Sequence, residues 1–234
     1  TQFGPNEDLN KYPRDFEGDL RLLQERRVDL VFAPDAGEVY PGETYIHFDI
    51  EKLGNRLCGA RRPGHFEGVL QVVAKLFNLV QPDVAVFGQK DLQQLLIIKR
   101  MVDELNFPVQ IIGGPTIRES DGLAMSSRNA YLSQEERQQS AVLYKSLKHV
   151  QDLITKGERE ATRILSSIKT LIERETSAQI DYVELVKMED LQPVEVIEGR
   201  IAIALAAHFG KARLIDNIAL EIEGENVREI SSLD

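Results

Sequence analysis

A single cysteine, Cys58, is all this chain of 234 residues has, so an intrachain disulfide is excluded. No Cys/His set of metal-ligand spacing surrounds it, and it reads as a small filler residue. Positive charge is also short: the formal net charge is -10, which argues against a general nucleic-acid or anionic-membrane surface while leaving room for a local basic pocket. No stretch approaches the roughly 18 to 20 apolar residues of a membrane span, and no basic-then-apolar leader is visible. Internal repeats and low-complexity tracts are absent as well. With 28% charged and 42% hydrophobic residues, the expectation is a globular, cytoplasmic enzyme with no nucleic-acid and no membrane partner.

What is present centres on the stretch Val84-Ala85-Val86-Phe87-Gly88-Gln89-Lys90-Asp91-Leu92-Gln93-Gln94. A short β-favouring run breaks at Gly88, and Leu95, Leu96, Ile98, Met101, Val102 and Leu105 then recur at helical spacing. The pattern predicts a buried parallel strand, a turn and a helix. In an open α/β sheet that junction is where helix N-termini offer unpaired N–H groups to anions, and Lys90 adds a mobile cation. Asp91 followed three residues on by Gln94 fits a helix-starting capping box equally well. A second stretch, Arg118-Glu119-Ser120-Asp121-Gly122-Leu123-Ala124-Met125-Ser126-Ser127-Arg128-Asn129, packs charge and hydroxyls into a segment without apolar periodicity, which is unusual for a plain connector.

Elsewhere the chain opens on Thr1, with a loop through Pro5 and Asn6. Phe16, Leu20, Leu22 and Leu23 predict a short helix to about Arg26, and strands are expected over 28–32 and 45–50. Arg61, Arg62 and His65 gather at Pro63-Gly64, before a helix carrying Val69, Val72, Val73, Leu76, Phe77 and Val80; by themselves these basic residues read equally well as a solvated turn. A strand over 107–112 follows the central helix, and Gly113-Gly114-Pro115 is the expected domain boundary. Beyond it, Ser133 to Glu136 form a capping-box start for one helix and Ile164 to Ile172 mark another. Strands over 182–186, 201–207 and 212–215 then predict a small antiparallel sheet, and the polar tail from Glu223 to Asp234 is expected to be solvated or disordered.

Phe-Gly-Gln-Lys-Asp-Leu-Gln-Gln at 87–94 and Asp-Gly-Leu-Ala-Met-Ser-Ser-Arg-Asn at 121–129 resemble the pantothenate synthetase family, as do Tyr12-Pro13-Arg14 and Arg62-Pro63-Gly64-His65-Phe66. The resemblance runs over nearly the whole chain. It implies an ATP-dependent ligase that joins pantoate to β-alanine through a pantoyl adenylate, with Mg²⁺, and a homodimer. It also implies an α/β fold: an incomplete Rossmann-like domain with a parallel sheet over 1–114 and a smaller α+β lid domain over 115–234. Carried over by position, Gly88, Gln89, Lys90 and Asp91 match the nucleotide loop, and Ile117 the base region. Met125, Ser126, Ser127 and Arg128 match a second ATP-binding segment, with Lys90 and Arg128 as the catalytic cations. Gln2 and Gln94 match pantoate-binding positions, and His65 and Arg62 become pocket candidates. Gln2 also reads as a frayed terminus, and no metal ligand is assigned.

Two departures qualify the resemblance. Position 89 is Gln where the family often has Glu. The family also begins with a further unit bearing a His-x-Gly-His signature, which is nowhere in this sequence. A fragment or a non-catalytic nucleotide-binding module is therefore also expected, as is a related nucleotidyl transferase.

Overall fold

Phe66, Val69, Leu70, Val73 and Phe77 recur three and four residues apart, and the helix they form, α5 (His65–Val80), buries that stripe. It follows α1 (Phe16–Glu25), α2 (Ala36–Val39), α3 (Glu51–Gly54) and α4 (Leu57–Arg61). This computed structural model describes residues 1–4, 7, 9, 12 and 14–233; Pro5, Asn6 and Pro13 lie outside the described residues.

After α5 comes the central unit. Strand β1 (Val84–Gly88) pairs in parallel with β2 (Gln110–Gly114), Val84 opposite Gln110 and Gly88 opposite Gly114, with the crossover made by α6 (Leu92–Leu105). Leu95, Ile98, Met101 and Val102 of α6 are buried against the α5 stripe. β1 is not buried on both faces as expected: Ala85 and Phe87 pack on the core, whereas Val86 is 67% exposed.

The strands expected over 28–32 and 45–50 are not formed. A strand is defined by its ladder, and neither segment finds a partner among the described residues. Leu30, Tyr45 and Ile46 stand exposed, while Phe48 and Ile50 still pack on the core.

The C-terminal half begins with α7 (Gln134–Ser140), started by the expected capping box: Glu136 N donates to Ser133 Oγ and Ser133 N to Glu136 Oε2. The single helix expected there is two, because the chain turns at Ala141 before α8 (Val142–Thr155). Helix α9 (Ala161–Glu175) packs on α8. An antiparallel meander follows in the order β3 (Gln179–Lys187), β4 (Gly199–Phe209), β5 (Ala212–Glu223) and β6 (Asn226–Glu229).

Side-chain alternation gives this sheet two different faces. Ile201, Ile203 and Leu205 of β4 join the α8–α9 cluster, while Ala202, Ala204 and Ala206 join the cluster built on α5 and α6. The expected boundary at 114/115 is thus crossed by a packed layer. Small residues on that face let the sheet approach the helices closely.

The tail, expected to be solvated or disordered, is mostly exposed over its described residues, but it carries β6 and is pinned at Leu233. Ile230 N donates to Ala219 O, and Gly113 N donates to Leu233 O at 2.7 Å. Leu233 is buried beside Leu95. A Cβ at Gly113 would lie 2.7 Å from the Leu233 carbonyl oxygen, so only glycine admits this approach. Among the described residues, no helix is long and apolar enough to cross a membrane.

Candidate nucleotide-binding cleft

Between the N-termini of α5 and α6 and the alanine face of β4 opens a cleft of about 1330 Å³. That exceeds the roughly 300–1,000 Å³ of common small-molecule pockets and suits two ligands side by side. Its described lining carries six Lys and Arg side chains against four Asp and Glu. In a chain of net charge -10, this is a local cationic concentration suited to an anion.

The first wall is the turn after β1. Gly88 leads into a short 3₁₀ turn, Gln89–Asp91, and α6 begins at Leu92. Asp91 occupies the N-cap position without making a side-chain cap bond, so the capping-box expectation fails, and its side chain lines the cleft instead. Lys90 lines it too. Burial holds the Lys90 ammonium below the ordinary lysine range; Asp91 and Asp216 act against that shift and Arg128 adds to it.

The second wall is the segment after β2. Arg118 bridges Ala124 in antiparallel fashion, and Met125 N donates to Ile117 O, closing a small loop. Gly122 turns this loop at φ +92°, where a Cβ would lie 2.4 Å from the Tyr144 ring. The Arg118 guanidinium lies over that ring at 3.8 Å and donates two bonds to the Asp216 carboxylate, at 2.7 and 2.9 Å. Ser126 Oγ then accepts from Arg128 N and starts the 3₁₀ turn Ser127–Tyr131. The Arg128 guanidinium sits 5.7 Å from the centre of the Tyr12 ring.

A third wall holds His65. Arg62 pairs with Glu7, its Nε donating to Glu7 Oε1 at 2.6 Å, and places Nη1 2.9 Å from His65 Nε2. Since arginine only donates, Nε2 accepts, and the proton sits on Nδ1, 2.8 Å from the Gln2 carbonyl oxygen. Burial holds the imidazole below its ordinary pKa, the Gln2 carbonyl acts against that shift, and Arg62 reinforces it. His65 is neutral.

The structure brings most of the expected site residues together. Gly88, Lys90, Asp91 and Gln94 come from one wall, Ile117 and Met125 to Arg128 from another, and Arg62 and His65 from the third. Two do not line the cleft. Gln89 is buried, and its Nε2 donates to the Ile230 carbonyl at 2.8 Å. A carboxylate there would face that oxygen, so a neutral amide suits the position. Gln2 meets His65 through its backbone. Among the described residues, no group of three His, Cys, Asp or Glu could hold a metal ion.

Asp216 and Asn217 went unread. Asn217 Nδ2 donates to both Gln89 O, at 3.1 Å, and Lys90 O, at 2.9 Å. The available signal was an acidic–amide pair inside the otherwise apolar run of β5, since buried polar residues are the informative exceptions.

These features define a class: a two-part α/β protein, with a Rossmann-like parallel pair packed on an antiparallel sheet and a cleft lined by more cationic than anionic side chains between them. The particular family follows from comparison. The family model for pantoate-beta-alanine ligase matches residues 1–219. A pantothenate synthetase of Desulfitobacterium hafniense is 54% identical over 220 residues, 94% of this chain and 78% of the relative. One of a Thermoanaerobacter species is 50% identical over 226 residues, covering 97% and 79%. The crystal structure of pantothenate synthetase from Thermus thermophilus matches with a TM-score of 0.88 at 46% identity, over 92% of this chain and 78% of that one. The Francisella tularensis pantoate-beta-alanine ligase, complexed with beta-gamma ATP and beta-alanine, matches with a TM-score of 0.71 at 31% identity, over 93% and 74%. The chain belongs to the pantoate-beta-alanine ligase family, and its enzyme class is that of a ligase.

Proposed function

We propose that this chain uses ATP to condense pantoate with β-alanine, through a pantoyl adenylate, releasing AMP and pyrophosphate. One observation carries the reading: Lys90 and Arg128, from two separate segments, line the same cleft, and that cleft has room for a second, small ligand. A family neighbour complexed with ATP and beta-alanine supports the choice of ligands.

A pantoate carboxylate oxygen attacks the α-phosphorus, and the bond to the bridging oxygen of the β-phosphate breaks with pyrophosphate as leaving group. Lys90 and Arg128 neutralise the charge that accumulates on the phosphates during this step. The β-alanine amine then attacks the mixed-anhydride carbonyl, and AMP departs with one former carboxylate oxygen. Gly88 and the Lys90 turn hold the triphosphate, Ile117 and Met125 flank the nucleoside, and Ser126 and Ser127 offer hydroxyls. Gln94 orients pantoate, since a neutral amide binds hydroxyl and carboxylate without burying a charge. Neutral His65, with both ring nitrogens engaged by Arg62 and the Gln2 carbonyl, shapes the pocket wall and holds the Arg62 guanidinium in place.

When bound with the nucleotide, Mg²⁺ would neutralise part of the triphosphate charge. Such an ion is held by phosphates plus one or two carboxylates, and Asp91 is the carboxylate beside Lys90 that fits this role.

The test is isotopic. With pantoate labelled by ¹⁸O in its carboxylate, the reaction delivers one label to AMP, and pyrophosphate–ATP exchange requires pantoate but not β-alanine. Formation of ADP in place of AMP would refute the adenylate route. A product that retains the nucleotide would assign the cleft to a nucleotidyl transferase, and ATP binding without turnover to a non-catalytic module.

A further inference from the structure

The turn that carries Lys90 has little to hold it in place through its own element, because Asp91 makes no cap bond and the turn is only three residues long. Besides the bond from Gln89 to the Ile230 carbonyl, what holds it comes from 127 residues further along. Asn217, 5% exposed in β5, directs its amide group at two consecutive carbonyls, Gln89 O and Lys90 O. An amide NH₂ has two protons, and here each has its own acceptor in the turn. The other side-chain atom, Oδ1, is buried with no protein partner, so the side chain is oriented by the turn alone.

The adjacent residue reaches the opposite wall. Asp216 takes the bidentate bond from Arg118, which leads the segment ending at Arg128, and also accepts from Asn217 N at 2.8 Å. Two neighbouring residues of one strand therefore grip both cation-bearing segments, and β5 is itself fixed in the sheet, with Asn217 opposite Ala204.

We propose that Asn217, backed by Asp216, is a positioning residue that sets the Lys90 turn against the segment bearing Arg128, so that the two cations converge on one triphosphate. This rests on the functional reading above. Asn217 acts through Lys90 and touches no phosphate itself.

The test is calorimetric titration of the whole chain with ATP and, separately, with adenosine, which lacks the phosphates. Asn217→Ala weakens ATP binding by about tenfold, the loss expected when a charge-assisted contact is misplaced, and changes adenosine binding less than about twofold. In a Lys90→Ala background the same substitution causes no further loss, because the two residues act through one contact. Asn217→Asp keeps the side-chain volume but turns both donors into acceptors; it reproduces the selective loss and serves if the alanine variant does not fold. Equal weakening for ATP and adenosine, or losses that multiply in the double variant, would overturn the positioning role while leaving Lys90 in place. A Lys90→Ala variant with unaltered ATP affinity would instead remove the functional reading of Lys90, and this inference with it.

Discussion

His65 shows how a single side chain can be read to a protonation state. Arg62 on one nitrogen and a carbonyl on the other leave one arrangement, the neutral Nδ1–H tautomer. Its folded pKa lies below its unfolded value, first because of burial and then because of Arg62, while the Gln2 carbonyl, Glu7 and Asp91 pull the other way. Above about 6.5, the unperturbed histidine value, neither state is protonated and the group contributes nothing to the pH dependence. As pH falls through that value the unfolded chain takes up the proton first, so stability is lost until the folded pKa is reached. Denaturant midpoints measured between about pH 7.5 and 5.5, a window spanning the unperturbed value, therefore decline, and His65→Gln flattens that decline; an equally steep slope in the variant would remove His65 as its cause. That Gly88, Lys90, Asp91 and the residues from Met125 to Arg128 line one cleft was legible in the sequence, because a glycine break and an out-of-pattern polar segment mark them. Gln89 was misplaced and Asn217 missed for one physical reason. The direction of a side chain depends on partners far away along the chain.

At the level of elements, the long helices follow the sequence closely, whereas the short helices α2, α3 and α4 and two of the strands do not. A helix satisfies its hydrogen bonds within itself, so apolar spacing and the capping box at Ser133 suffice to locate α5, α6 and α7. A strand depends on a partner, and the alternation at 45–50 is real without finding one in the described residues. The tail fails in the other direction. Its composition reads as solvated, yet one apolar residue, Leu233, fills a slot opened by the absence of a side chain at Gly113. Leu233→Ala should cost about 2 kcal/mol, at the lower end for a buried leucine because the site is at the molecule's edge. Hydrogen exchange at the Gly113 amide, which donates to Leu233 O, should accelerate in the same variant. A variant with unchanged stability and exchange would show that the tail is only laid on the surface.

The whole molecule turns on one sheet serving two cores. Ala206 and Ala207 are consecutive, both fully buried, and lie on opposite faces of β4: Ala206 in the cluster with α5 and α6, Ala207 in the cluster with α8 and α9. Enlarging either overfills a close-packed layer and costs on the order of 1–3 kcal/mol. The consequences for the cleft differ. Ala206→Leu forces the sheet away from α5 and α6, whose N-termini line the cleft, and moves Asn217 and the cleft-lining Ala204 relative to Lys90. Ala207→Leu strains the helical layer behind the sheet and leaves that distance unchanged. With both variants assayed well below their melting temperatures, the first should weaken ATP binding by about tenfold, and the second should bind like the unsubstituted chain despite a similar drop in stability. Equal affinity in both would mean that the two halves can shift without disturbing the cleft. Loss of binding in the first alone would show that the alanine face sets the separation of the cleft walls, a distance carried by small residues whose role is apparent only once the sheet and the helices are seen together.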